Sequence, residues 1–373
     1  MRRSMLAVFV LASTCSVLAG CSADDSPGIV TSSRGPKSAG SDSANNGGAS
    51  TPGAQDSLPC TGIAEPKQIA PDVAAGDLQL VDGAVIFRSG SKVVRAALDG
   101  SGQATIYDSP TLTRALFTEG LIVTIEDPEP PNAVVKVTTI EDPTAADPGK
   151  LALNGAVIAT NFNAGGSYFI GADKEAIYLV GDEQQGEVIY KLARTAPPAL
   201  QPLVTVTDTI SSAQVAAGGL WYVRDRSRVF EIPFVLDPNN PAQKVTDEPK
   251  EIFGSTAQAC ALAVGQDDTF CSTGPLLERR DLRGSNLKTV LEAAKSKIAA
   301  PFGSPTWSDG TLYVRTSQPD AKMNHAVRAI KPNGTSAEER VVACGRTTIS
   351  EMVVGKDSVV WSEPGKGVFL APR

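Results

Sequence analysis

From about residue 60 onward, the chain is punctuated by short apolar runs, each behind a Gly- or Asp-bearing turn. Ala84-Val85-Ile86-Phe87 follows Asp82-Gly83, and Leu121-Ile122-Val123-Thr124 follows Glu119-Gly120. Ala176-Ile177-Tyr178-Leu179, Leu220-Trp221-Tyr222-Val223, Thr269-Phe270-Cys271, Thr311-Leu312-Tyr313-Val314 and Val359-Val360-Trp361 repeat the pattern. Runs this short, rich in β-branched and aromatic residues and bounded by turn formers, predict strands. With Ile86, Ile122, Tyr178, Trp221, Phe270, Tyr313 and Val360 as markers, the steps are 36, 56, 43, 49, 43 and 47 residues.

Around each marker the rest of a unit recurs. A small, apolar strand precedes it, as in Ser212-Ala213-Gln214-Val215-Ala216 or Glu351-Met352-Val353-Val354. A third strand follows, such as Lys92 to Ala96, Gly186 to Tyr190 or Ala326 to Ile330. A second turn (Asp99-Gly100, Arg283-Gly284, Asn333-Gly334) leads to a fourth strand, as in Gln103 to Tyr107 or Glu339 to Ala343. Asp-Gly and Asn-Gly supply the positive φ that tight hairpins need. Leu287 to Ala300 has some helical spacing, but the repeat register makes Leu287 to Leu291 a fourth strand. Four short antiparallel strands per unit of about 40–45 residues is a propeller blade. The fold expected is therefore all-β: a β-propeller of seven four-stranded blades, with six as the alternative because the second and third units are irregular. Trp221 and Trp361, both in marker strands, are expected to pack between blades.

The unit resembles YWTD- and NHL-type propeller repeats over residues 66–373, with the YWTD signature only partly present as Trp221-Tyr222-Val223-Arg224-Asp225. The resemblance implies architecture and no activity. The last unit ends at Gly367-Val368-Phe369-Leu370 without a fourth strand, while Pro66-Lys67-Gln68-Ile69-Ala70 stands ahead of the first. A strand donated from the N-terminal side would complete the last blade and remove the open edge.

The first sixty residues are different material. Met1-Arg2-Arg3 begins a basic start, and Leu6 to Ala19 is apolar or small and uncharged. That run is shorter than the roughly 20 residues of a stable membrane span, and reads as a secretory signal. Its exit, Leu18-Ala19-Gly20-Cys21, resembles the lipobox of bacterial lipoproteins. The resemblance implies cleavage before Cys21, acyl chains (palmitate among them) on that residue, and attachment to a membrane of the cell envelope. In lipoproteins of that kind an Asp after the lipidated Cys retains the chain at the inner membrane, so with Ser22 in that place the resemblance implies the outer membrane. Ser22 to Pro59 is rich in Ser, Gly, Ala, Asn, Asp and Pro and cannot bury a core. As a flexible spacer it would hold the folded part ~30–40 Å from the lipid. The expected organisation is a signal peptide over 1–20, a lipidated tether over 21–59 and a propeller over 60–373.

Charge and chemistry narrow the function classes. Loss of Arg2 and Arg3 with the signal takes the net charge from −7 to −9. Such an acidic exported chain is a poor partner for nucleic acid. Glu278-Arg279-Arg280-Asp281 and Arg224-Asp225-Arg226, the densest basic points, read as solvated surface. Besides Cys15 and Cys21, four cysteines remain, and an even number in an exported chain suggests two disulfides. Location pairs Cys260 with Cys271 across one hairpin, and Cys60 with Cys344 at the ring closure. Zinc would want C-x-x-C spacing or more His than the lone His325, so no metal or cofactor is expected. His325 reads as a surface-loop residue. The acidic, Pro-rich Glu126-Asp127-Pro128-Glu129-Pro130-Pro131 reads as a solvated connection between strands, and Asp267-Asp268 as a turn. No nucleophile motif of the Gly-x-Ser-x-Gly or His-Glu-x-x-His kind occurs. The expectation is a monomeric, non-enzymatic lipoprotein whose propeller binds a protein or cell-wall component. One rival is an envelope lyase or hydrolase with carboxylate, Tyr and Arg residues in the channel; another is an accessory subunit of an envelope assembly machine.

Overall fold

The computed structural model describes residues 63–373, apart from 82, 131, 141–152, 195–196, 238–239, 255–259, 274–275, 293–300, 318–324, 334–335 and 347. The signal, the tether, Cys21 and Cys60 lie outside the described residues.

The chain forms seven antiparallel sheets in sequence order. Blade 1 holds Ala75–Val81, Ala84–Ser89, Lys92–Ala97 and Gln103–Asp108. Blade 2 holds Leu112–Thr118, Leu121–Glu129, Asn132–Thr139 and Val157–Ala159, and blade 3 Asn163–Ala172, Ala176–Glu183, Gly186–Ala193 and Leu200–Val206. Blade 4 is built on Ile210–Ala216, Gly219–Arg224 and Arg228–Asp237. Its long third strand pairs with Lys250–Gly254 along one half and Asn240–Thr246 along the other. Blade 5 holds Ala261–Val264, Asp268–Ser272, Leu276–Asp281 and Lys288–Glu292. Blade 6 holds Pro301–Ser308, Thr311–Ser317, His325–Asn333 and Ser336–Arg346. Blade 7 takes Glu351–Val354, Ser358–Glu363 and Gly367–Pro372 from the C-terminus and Lys67–Pro71 from the N-terminal side. The first strand of each blade touches the first strands of its two neighbours, blade 7 against blade 1 included, so the sheets form a closed β-propeller.

The uneven repeat steps have local causes. The stretch between the third and fourth strands of blade 2, residues 140–156, lengthens one step. The extra strand of blade 4 lengthens another. Leu287 itself is exposed in the turn, and the outer strand of blade 5 begins at Lys288.

The core is divided among the blade junctions. Seven apolar clusters occur, one at each junction. Every sheet is therefore covered on both faces, and its second strand reads as an unbroken apolar run instead of alternating. Trp221 and Trp361, both fully buried, fill the junctions of blades 4/5 and 6/7. The two lie one position apart in register: Trp221 opposes Gln214 on the innermost strand of blade 4, whereas in blade 7 the equivalent position is Val360, opposite Val353. They therefore point to opposite faces of their sheets.

Closure uses the donated strand. Lys67 pairs with Leu370 and Pro71 with Gly367, and the Asp72 N–H continues the ladder to the Lys366 carbonyl at 3.1 Å. Gly367 has φ +119°, and a Cβ on it would lie 1.9 Å from the Ala70 carbonyl oxygen, so only glycine admits the donated strand so closely. The disulfide between Cys260 and Cys271 is present, with Cα atoms 5.0 Å apart. Cys344 is also disulfide-bonded.

Candidate functional site

The direction of the strands sorts the molecule into two ends. The chain comes in at Lys67, runs to Pro71 and turns into Ala75, the start of the innermost strand of blade 1. That strand runs back to the end where the chain came in. The near end therefore carries Lys67 and the turns between first and second strands. Arg373 is held there too, by Asp309, the Ser308 carbonyl and the Tyr313 hydroxyl. The far end carries the starts of the innermost strands.

On the far end, polar side chains stitch one blade to the next. Arg315 of blade 6 donates to the Ile349 carbonyl at 3.3 Å and to the Ser350 carbonyl, just ahead of blade 7. Glu351 of blade 7 accepts the Leu78 N–H of blade 1 at 2.9 Å. Asp77 accepts the Ala115 N–H of blade 2 at 3.0 Å, and Arg114 of blade 2 donates through Nε to the Ser167 carbonyl of blade 3 at 3.1 Å. Asp77 also takes Arg88 Nε at 2.9 Å and faces Arg114 Nη1 at 3.6 Å. Asp77 sits at φ +55°, where a bulge between Gly76 and Gln79 turns the strand. A non-glycine residue is uncommon there and costs energy unless its surroundings fix it; the three partners of its carboxylate do so.

Two arginines, Arg88 and Arg114, keep about a quarter of their side-chain surface exposed (23% and 24%), while Asp77 keeps 8%. Burial and the neighbouring Asp77 carboxylate push the Glu351 carboxyl up, against the backbone N–H groups of Leu78 and Asp77 and against Arg114, which pull it down. This cluster of Asp77, Arg88, Arg114, Arg315 and Glu351 is the candidate site.

A second cluster at the same end is of another kind. Glu126 is fully buried and accepts from Ser109 and Thr111 at 2.9 Å each, from Thr124 at 3.1 Å, and from Tyr107 and Lys136. Burial alone would raise its carboxyl, but the hydrogen bonds from Lys136, Tyr107, Ser109 and Thr111 outweigh it and hold the carboxyl at about 2. Burial and the same contact push Tyr107 up to about 12.

Several sequence readings are corrected here. Glu126 does not lie in a solvated loop: it is inside the strand Leu121–Glu129, and its charge is matched on every side. His325 is no surface-loop residue. It opens the strand His325–Asn333, half-buried, where burial and Arg315 push its imidazole below the ordinary value against the pull of Glu363. The 278–281 segment is not all solvated surface: Glu278 is buried, and Arg279 pairs with Asp268 at 2.6 Å. Asp268 accordingly begins a strand rather than belonging to a turn. Of the cysteines, Cys260 and Cys271 come together in blade 5; Cys60, the expected partner of Cys344, and the lipid site Cys21 fall outside the described residues. None of the five far-end residues stood out in the sequence. Among the described residues no group of three or more His, Cys, Asp or Glu is arranged to hold a metal ion, and no helix is long and apolar enough to cross a membrane.

Neither a protein-family model nor a curated protein matches the sequence. Solved structures do match in fold. Hsv2 of Kluyveromyces lactis gives a TM-score of 0.52 at 9% identity, over 78% of this chain and 94% of that one. A chain of the mitotic checkpoint complex gives 0.50 at 8% identity, over 90% and 99%. Apo AztD from Citrobacter koseri gives 0.45 at 11% identity, over 80% and 76%. At these identities the likeness is one of fold alone, a fold consistent with a binding or scaffold role.

Proposed function

We propose that this chain is an exported lipoprotein, anchored in the cell envelope through acyl chains on Cys21, whose propeller presents a binding surface to a protein or cell-wall component. The observation that carries the reading is the opposition of the two ends. The chain enters the ring at Lys67, and the Asp77–Arg88–Arg114–Glu351 cluster lies at the other end of the same strands. A lipid tether ahead of Lys67 would join the ring at the near end and leave the end that carries the cluster clear of the attachment point. Fold by itself carries no vote on function; the far-end cluster does, because partly exposed guanidinium groups beside a perturbed carboxyl mark sites that meet ligands.

Two measurements test this. Mass spectrometry of the protein from its native envelope is expected to find Cys21 as an acylated N-terminus, and Cys21→Ser to leave precursor or released domain. A photo-crosslinking residue at exposed Gln185, in a far-end turn, is expected to capture an envelope component, and one at exposed Asp99, in a near-end turn, is not. Capture from Asp99 alone would reverse the assignment of the faces. One observation favours a second reading, an envelope lyase or hydrolase: the raised Glu351 carboxyl stands where an acid–base group beside arginines would. Under that reading Glu351→Gln abolishes turnover while binding survives.

A further inference from the structure

We propose that residues 28–33, well ahead of the ring in the chain, add to the outer edge of blade 1 as a fifth strand. This goes beyond the binding reading above and does not depend on it. The outermost strand of a blade presents a row of N–H and C=O groups that can pair with another strand, and proteins blunt such edges with charge, proline or shortness. Six of the seven blades do so. Blade 2 ends in only three residues, Val157–Ala159, and Pro202 interrupts Leu200–Val206 of blade 3. In blade 4, Lys250–Gly254 opens on Lys250 and Glu251, and Asn240–Thr246 contains Pro241. Lys288–Glu292 of blade 5 is charged at both ends, and Ser336–Arg346 of blade 6 contains Glu338, Glu339 and Arg340. Lys67–Pro71 of blade 7 opens on lysine and closes on proline. Blade 1 differs. Over 103–107 its outer strand, Gln103–Asp108, holds neither charge nor proline, and it is exposed apart from the half-buried Ile106 and Tyr107.

Position selects the occupant. The chain enters the ring at Lys67, whose ammonium donates to the Asp99 carbonyl, and a Cβ on Gly100 would lie 3.2 Å from Lys67 Cε. The turn over 99–102 leads straight into Gln103, so whatever precedes Lys67 arrives beside the near-end tip of the bare edge. Between residues 22 and 62 one run alone has adjacent β-branched aliphatics, Ile29-Val30-Thr31, continued by Ser32-Ser33. Pro27-Gly28 before it and Gly35-Pro36 after it bound the run as turn formers bound a strand. Like 103–107, residues 28–33 carry no charge. An added strand would set Ile29, Val30 and Thr31 beside Thr105, Ile106 and Tyr107, and β-branched and aromatic cross-strand neighbours stabilise a sheet. A strand of the same chain also meets the edge at a higher effective concentration than a separate one. Residues 34–62 can reach ~100 Å, against ~20 Å for a strand of this length. The chain can therefore return along the blade, and the added strand can run parallel to Gln103–Asp108. In that sense Cys21 stays at the near end, where the tether joins the ring.

The test uses the whole chain from residue 21 onward, with Cys21→Ser to keep it in solution. A photo-crosslinking residue at exposed Thr105 is expected to join to 28–33 of the same molecule, as read by mass spectrometry. Hydrogen exchange at the outward N–H groups of 103–107 is expected to run at least 10-fold faster in a variant carrying Ile29→Pro and Val30→Pro, with the other outer strands unchanged. A crosslink to a different molecule, a second copy included, would overturn the proposal. So would the absence of any crosslink, or unchanged exchange over 103–107 in the proline variant. None of these outcomes bears on capture from Gln185, so the binding reading stands or falls separately.

Discussion

Two glutamates at the same end of the ring show how differently one side chain is used. Glu126 accepts from five side chains and has no oxygen to spare. Glu351 accepts the Leu78 N–H with Oε2 at 2.9 Å, and the like charge of Asp77 stands beside it. The carboxyl of the first is held far down at about 2, that of the second is pushed up. The lesson concerns saturation. A buried charge whose every lone pair is met is a structural rivet, joining the outer strand of blade 1 to blade 2. A buried carboxyl with a like charge beside it contributes less to the fold.

The contrast is broken or sharpened most strongly by Glu126→Ala. It removes the common acceptor of three hydroxyls, a phenol and an ammonium, and is expected to cost about 3–5 kcal/mol in chemical denaturation; a cost below about 1 kcal/mol would void the rivet. Acid titration gives the same contrast a pH axis. Because the folded carboxyl of Glu126 lies below its unfolded value of 4.5, its contribution is fully present above about 4.5 and is lost as pH falls toward 2. Glu126→Gln should flatten that limb of a Tm-against-pH curve, and an unchanged limb would count against it.

The same logic separates two glutamines at equivalent places on innermost strands, Gln79 opposite Ile86 and Gln214 opposite Trp221. Gln79 donates to the Ala115 carbonyl at 3.2 Å and accepts the Phe117 N–H, whereas Gln214 Nε2 is buried with no partner among the described residues. Gln79→Leu should cost about 1–3 kcal/mol, since it strands two backbone groups, and Gln214→Leu should be neutral or stabilising. The reverse ranking would show that saturation does not govern these positions. The smallest effect is expected from Glu351→Gln, which fixes the neutral form. A folded carboxyl raised above its unfolded value loses stability as pH rises through both, so near pH 7 the variant should melt at or slightly above wild type.

Much of the architecture is legible in the sequence, because every sheet is covered on both faces. The second strands therefore print as apolar runs such as Leu121 to Ile125 or Leu220 to Val223, separated by turns at a steady spacing. The donated strand was readable as well, from the missing fourth strand after Gly367. The polar clusters were not. The partners of Glu126 lie between 2 and 19 residues away with no shared period, and the flanking prolines imitate a loop. Glu351 meets Leu78 across 273 positions, through a contact that exists only after the ring has closed. Some turns were opaque for a different reason. Asp225 and Arg226 both take positive φ, at 52° and 61°, where glycine or asparagine would have been the signal.

The donated strand also sets an order of events. Gln68 and Lys366, joined by a side-chain hydrogen bond, stand 298 positions apart. During synthesis the strand made first waits unpaired until the strand made last is available. Blades 1 to 6 are held by neighbours close in sequence and can form as the chain lengthens, while the seventh must close a loop of nearly the whole domain, an entropic cost that grows only with the logarithm of its length. Completion of the ring is therefore a check on the C-terminus. A chain cut short before Gly367 leaves Lys67–Pro71 with no edge to join, and its truncation is exposed at once as an open sheet.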